Sequence, residues 1–267
     1  MQRLGISLLL FISSLAWAGD KYLAIVIDDL GNNRTLGERA VALPAPITFA
    51  VLPNRPFSSA LAERAFQNGH ELMLHQPMAN HSGFPLGAHG LTPDMTDSER
   101  LITLHEALAS VPHARGFNNH LGSLLTENKQ AMDALFQQHL PAMYFVDSVT
   151  TANSNAYSSA KLHGWPVTKR DVFLDHEATV DFVSQQMLYA MRLLDEKGHA
   201  LVIGHPYEAT LSYLELALPI LADSGITLLP VSQYIERFGS NAEHLAEQKA
   251  EQKDEQKIEA QVEHVVR

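Results

Sequence analysis

Residues able to bind a metal or carry a proton recur in this 267-residue chain at the points where short apolar runs stop. Ala24-Ile25-Val26-Ile27 runs into Asp28-Asp29-Leu30-Gly31, and Leu72-Met73-Leu74 into His75-Gln76-Pro77-Met78. Gly116-Phe117 leads to Asn118-Asn119-His120, and Tyr144-Phe145-Val146 to Asp147-Ser148. Val172-Phe173-Leu174 leads to Asp175, and Leu201-Val202-Ile203-Gly204 to His205-Pro206. A single aspartate after a strand is commonly a turn former or helix cap. Six such endings in series point instead to a shared site. Adjacent carboxylates disfavour joint ionisation, so the Asp28-Asp29 pair calls for a cation nearby. Asp29 with His75, His120 and His205 makes a set of oxygen and nitrogen donors suited to zinc or a similar divalent ion.

Other chemistries find less support. Ser123 and Ser148 stand outside any G-x-S-x-G elbow, and the chain has neither a G-x-G-x-x-G nor a P-loop signature. Asp28 and Asp175 offer a carboxylate pair of the kind glycosidases use, at a separation the sequence does not fix. His81 and His89, in a glycine-containing loop, are candidates to line a substrate groove. The remaining histidines (His70, His105, His113, His139, His163, His176, His199, His244, His264) read as surface or structural residues.

The elements that must position these groups are legible from periodicity. Tyr22 to Ile27, Ile47 to Leu52, Glu71 to Leu74, Ala142 to Val146, Val172 to Leu174 and Ala200 to Ile203 read as buried strands, with Gly116 to Asn118 a further short one. Helices are expected over Ser58 to Gln67, Ser98 to Ser110, Lys129 to His139, Val180 to Leu194 and Thr210 to Ala222. This alternation predicts an α/β fold with about seven mostly parallel strands. It leaves a barrel and an open doubly wound sheet equally possible. In either, a site belongs beyond the carboxyl ends of the strands.

Residues 1–18 read as a signal peptide. Arg3 precedes an apolar run from Ile6 to Leu15, and Ala16-Trp17-Ala18 supplies the small residues of a cleavage site. That run is short of the roughly 20 apolar residues of a membrane span, so export to the periplasm without stable membrane insertion is expected. Residues 19–239 read as one domain. Residues 240–267, rich in Glu, Gln and Lys, lack the apolar residues to bury a core and read as a tail that is disordered or a solvated helix. With 19 basic against 30 acidic residues the chain lacks the basic footprint of a nucleic-acid partner. It has no cysteine, so stability rests on packing and a metal rather than on disulfides.

Ile27 to Gly31, Leu74 to Met78, Gly116 to Ser123, Phe145 to Ser148 and Ile203 to Pro206 together resemble the motif series of the divergent polysaccharide deacetylases. The likeness runs from about Lys21 to Phe238. These are remote relatives of the metal-dependent chitooligosaccharide and peptidoglycan deacetylases, so the resemblance implies a distorted (β/α) barrel. It also implies removal of acetyl groups from an acetylated saccharide or peptidoglycan fragment, with zinc as cofactor. By this correspondence Asp28 is the catalytic base, Asp29 and His75 bind the metal, and His205 is the general acid. The relatives carry another ligand histidine four residues beyond the first; that position is Ala79 here, and His120 is the expected replacement. Asn118-Asn119-His120 stands where the relatives have an Arg-x-Pro-x-Gly loop. Asn118, Asn119, Asp147, Arg170 and Asp175 are expected around these groups as supporting or substrate-contacting residues. The alternative expectation is a periplasmic protein that keeps the metal and binds a saccharide or peptidoglycan fragment without turnover.

Overall fold

The computed structural model describes residues 20–138, 140 and 143–240. The expected signal peptide and the tail beyond Ser240 lie outside them, as do Ala142 and His139 at the ends of an expected strand and helix. Nine strands alternate with eight helices among the described residues. In chain order they are β1 (Lys21–Leu30), α1 (Arg34–Ala40), β2 (Thr48–Val51), α2 (Ser58–Gln67), β3 (Glu71–Met78) and α3 (Asp97–Ser110). There follow β4 (Ala114–Leu121), α4 (Lys129–Gln137), β5 (Tyr144–Asp147), α5 (Ala156–Leu162), β6 (Val167–Lys169) and β7 (Val172–Phe173). The chain continues with α6 (Val180–Lys197), β8 (His199–Gly204), α7 (Glu208–Asp223), β9 (Ile226–Leu228) and α8 (Val231–Phe238).

The strands pair in the order β6-β5-β4-β3-β2-β1-β8-β7, all parallel, with β9 alongside the start of β1. This is a distorted (β/α) barrel that stays open between its edge strands, β6 and β7, which do not pair with each other. The strand count exceeds the expected seven because β6 and β9, of three residues each, carry too little pattern to stand out.

Alternation along β1 divides the protein into two cores. Leu23, Ile25 and Ile27 face outward into the large cluster beneath the helices. Ala24 and Val26 face inward with Ala50, Met73, Val146, Leu201 and Ile203. Val231, Tyr234 and Ile235 of α8 complete that inner cluster. The α8 start is fixed at the amino ends of β2 and β3, where Val231 N–H donates to Thr48 Oγ1 (2.9 Å) and Ser232 N–H to Glu71 Oε1 (2.9 Å). The final helix thus closes the bottom of the barrel, and Asp28, next inward after Val26, faces the open top.

Local signals set the helix ends. Thr96 and Glu99 form a reciprocal capping box before α3. Thr179 caps α6, and Gly198 in the left-handed region (φ +80°) ends it. Among the described residues no helix is long and apolar enough to cross a membrane.

Candidate metal centre

A regular strand would send Asp28 and Asp29 to opposite faces. Here Ile27 pairs with Phe49 and Leu30 with Val51, so Asp28 and Asp29 together face the single residue Ala50. This is a β-bulge, and Asp29 takes φ +58°, a region aspartate tolerates better than most residues. The bulge turns both carboxylates into one cleft of about 560 Å³, whose walls include His75, His120, Arg170, Asp175 and His205.

His75 and His120 reach it from neighbouring strands. β3 and β4 run further than their sequences suggested and stay paired through Pro77 with His120 and Met78 with Leu121. The two imidazoles meet edge to face at 4.8 Å between centroids. Ala79 follows β3 and packs into the outer core. Its carbonyl accepts the Leu124 and Leu125 N–H groups (3.1 and 3.0 Å).

The donor atoms converge. Asp29 Oδ1 lies 3.2 Å from His75 Nε2 and 3.0 Å from His120 Nδ1, and all three ligating atoms fall within 4.8 Å of one another. Asp29 Oδ1 is buried, yet no hydrogen-bond donor is aligned on it. An oxygen left in that state is costly unless a cation completes it, so the three residues fit a divalent ion. Asn118 fixes the set: His75 Nδ1–H donates to Asn118 Oδ1 (2.6 Å), leaving Nε2 toward Asp29, while Asn118 Nδ2 donates to Asp28 Oδ1 (2.8 Å).

Burial raises the Asp28 pKa above the ordinary carboxylate value, against the pull of His75, His205 and the Asn118 hydrogen bond. Burial also opposes ionisation of Asp29, but the adjoining His120 and His75 imidazoles overcome it and hold that carboxyl well below the usual range. For His75, burial disfavours the cation, and Asp28 and Asp29 outweigh it, raising the pKa. Burial wins at His120, whose pKa falls.

Across the cleft, Asp175 holds His205. It accepts the backbone N–H of His205 (2.5 Å), His205 Nδ1–H (2.9 Å) and the Thr210 hydroxyl at the start of α7 (2.7 Å). Burial disfavours charge on His205, but the Asp175 hydrogen bond prevails and the pKa is pushed up to about 9. Tyr207 stacks on the imidazole at 17° and 5.2 Å, and Phe173 meets it edge-on at 5.5 Å. Asp175 is therefore committed to His205, and the glycosidase-like pairing with Asp28 finds no support in this arrangement.

The other expected residues take varied places. Asn119 links β4 to β5, donating to Leu121 O (2.9 Å) and accepting Ser148 N–H (2.9 Å). Asp147 shapes the loop after β5 by accepting Val149 N–H, Ser154 Oγ–H and Tyr157 N–H, and is not among the cleft walls. Arg170 lines the cleft and donates to the Ser148 and Val149 carbonyls (both 2.8 Å). His81 pairs with Glu127 and His89 with Asn54, and neither reaches the cleft. Sequence reasoning missed Phe173, His176, Tyr207, Asn80 and Ser82 as cleft residues. Phe173 had a signal, being two residues before Asp175 and hence on the same side of an extended chain.

Fold and site together define a distorted (β/α) barrel with a polar, metal-suited cleft at its strand ends. The chain belongs to the divergent polysaccharide deacetylase family, whose model matches residues 25–235. It is 38% identical over 216 residues to the uncharacterized protein YibQ of Escherichia coli K12; the match covers 79% of this chain and 66%, just under two thirds, of that relative. An uncharacterized protein from Agrobacterium tumefaciens C58 has a similar structure, with a TM-score of 0.77 at 21% identity over 80% of this chain and 89% of that one. A mutant of the peptidoglycan deacetylase PdaC from Bacillus subtilis superposes with a TM-score of 0.50 at 15% identity, over 88% and 98% of the two chains. At these identities the structural likenesses bear on the fold.

Proposed function

We propose that this protein is a metal-dependent hydrolase that removes acetyl groups from a cell-envelope saccharide of the peptidoglycan type. One observation carries the reading: the buried, unpartnered Asp29 Oδ1 lies between His75 Nε2 and His120 Nδ1, with a base and an acid on either side. Asp29, His75 and His120 would hold the ion, and their mixed N and O donors suit zinc. When bound, such an ion polarises an acyl carbonyl and makes water more acidic.

The chain's own groups supply the proton traffic. Asp28, buried and raised in pKa, takes a proton from the attacking water. Asn118 keeps its carboxylate aimed by donating to Oδ1. His205, charged at neutral pH while its pKa is near 9, gives a proton to the departing amine. Asp175 keeps the imidazole's Nδ1–H engaged and Nε2 free for that transfer. Tyr207 and Phe173 flank the ring and limit water around it. Ala79 stands where the relatives have a histidine, and the closeness of His120 to Asp29 and His75 supports it as the replacement donor.

Residues 1–18 support export to the periplasm, where such saccharides lie. Acetate release from acetylated chitooligosaccharides and peptidoglycan fragments, with and without added zinc, tests the proposal. Turnover should require zinc and vanish in His205→Ala while metal content is kept. Saccharide binding without acetate release under any metal would instead make this a binding protein.

A further inference from the structure

Arg170 is the unusual cation of the cleft. Several other arginines find carboxylates: Arg39 meets Glu208 and Glu215, Arg100 meets Asp97, and Arg115 meets Glu71. Arg170 has no carboxylate within 4.0 Å among the described residues, although it lines a cleft that also holds Asp28, Asp29 and Asp175. The nearby acids are occupied elsewhere. Asp147 serves its own loop, Asp171 binds Lys197 and Leu201 N–H, Asp175 binds His205 and Thr210, and Asp28 binds Asn118. Two carbonyls anchor the guanidinium through Nε and one terminal nitrogen, which leaves the other terminal nitrogen unused.

A second unpartnered group sits on the same wall. Ser148 is 6% exposed, lines the cleft, and its Oγ has no hydrogen-bond partner. Ser148 is also the residue whose carbonyl anchors Arg170 Nε. The next residue, Val149, holds φ +50°, an uncommon state for a β-branched residue. It keeps its own carbonyl on Arg170. Both unsatisfied groups are hydrogen-bond donors, and one is charged. Ser148 is buried and Arg170 half-buried, and such a donor pair on a cleft wall suits an anion.

We infer that Arg170 and Ser148 form a subsite for a carboxylate carried by the substrate. A planar, singly charged carboxylate suits a guanidinium edge and one hydroxyl. A phosphate dianion would bring a second charge next to Asp28 and Asp29 and be repelled more strongly. This inference rests on the saccharide reading and narrows it to acidic saccharides, such as those bearing a lactyl ether.

Calorimetry on the zinc-loaded chain tests it with the disaccharide of N-acetylglucosamine and N-acetylmuramic acid, as the free acid and as its lactyl methyl ester. The acid should bind about 10- to 100-fold more tightly than the ester, the range of a hydrogen bond to a charged group. Arg170→Gln should abolish that preference, its loss falling far more on the acid than on the ester, and Ser148→Ala should reduce it by a smaller factor. Ser148→Ala also covers the case in which Arg170→Gln fails to fold, as judged by its melting transition. Equal binding of acid and ester by the wild type would overturn this subsite alone. So would an Arg170→Gln variant that loses both forms equally, which would place Arg170 at the reacting carbonyl or in the fold. Binding of neither form would overturn the saccharide reading as well.

Discussion

Replacing Asp175 with Asn tests the proton-donor side of the cleft directly. The His205 side chain is 14% exposed and that of Asp175 wholly buried. Burial alone would lower the imidazole's pKa, so its rise from 6.5 to about 9 depends first on Asp175, with Asp28 and Asp29 adding their charge. That change corresponds to a preference for the charged form on the order of 3 kcal/mol, at about 1.4 kcal/mol per tenfold. Because the folded pKa lies above the unfolded one, this contribution is fully present below about pH 6.5 and lost as the pH rises through about 9. Tyr207, which also faces the ring, titrates above this window because burial raises its pKa further. The Asp175→Asn variant keeps the shape but not the charge. Urea unfolding of both proteins with chelator at pH 6, 8 and 10 should show a stability gap largest at pH 6. The gap should narrow by up to about 3 kcal/mol toward pH 10. The uncharged loss of the Thr210 and backbone contacts adds a constant offset only. In parallel, the His205 ring protons followed by NMR should titrate near 9 in wild type and at a clearly lower pH in the variant. A gap independent of pH, or a wild-type midpoint near 6.5, would refute the Asp175–His205 assignment.

Three further outcomes follow from the geometry. Asp29→Asn retains a residue that accepts φ +58° but removes the charge, so the protein should fold normally and lose bound zinc by elemental analysis; His120→Ala should do the same. Asn118→Ala frees the His75 ring and should weaken zinc binding about 10- to 100-fold in a competition titration with a chromophoric chelator, without altering the fold's circular dichroism. Gly116→Ala forces a methyl group into the Tyr144 ring and carbonyl on the neighbouring strand, which should cost about 1–3 kcal/mol or more in chemical denaturation.

The strand-end residues were legible because parallel α/β topology places every such ending on one face. Asp28, Asp29, His75, His120, Asp175 and His205 come from five different strands or strand ends, and that rule alone brings them into one cleft. Whether the sheet closes was not legible: β6 and β9 are too short to show a period, and α8 reveals its role only by filling the barrel interior. The expected groove histidines were misplaced for a related reason. Loop residues carry no periodicity, so nothing in the sequence showed that His81 pairs with Glu127 and His89 with Asn54, away from the cleft. Asp147 looked like its neighbours at strand ends, yet its three hydrogen bonds turn it into a loop organiser.

The way the third donor is supplied links local backbone detail to chemistry. A histidine at position 79 would follow β3 directly, but Ala79 is packed in the outer core and its carbonyl is tied to Leu124 and Leu125. In the proposed donor set the third side chain, His120, comes instead from β4, and it lies beside His75 because β3 and β4 remain in register as far as Pro77 and His120. The chain turns sharply right after, through Leu121 and Gly122, both at positive φ. The bulge at Asp28-Asp29 does the corresponding work on β1, adding one residue so that neighbours in sequence become neighbours in the cleft. If Asp29, His75 and His120 hold the ion as proposed, metal affinity should depend on two backbone features as much as on those three side chains: an extended β3–β4 ladder and one extra residue in β1.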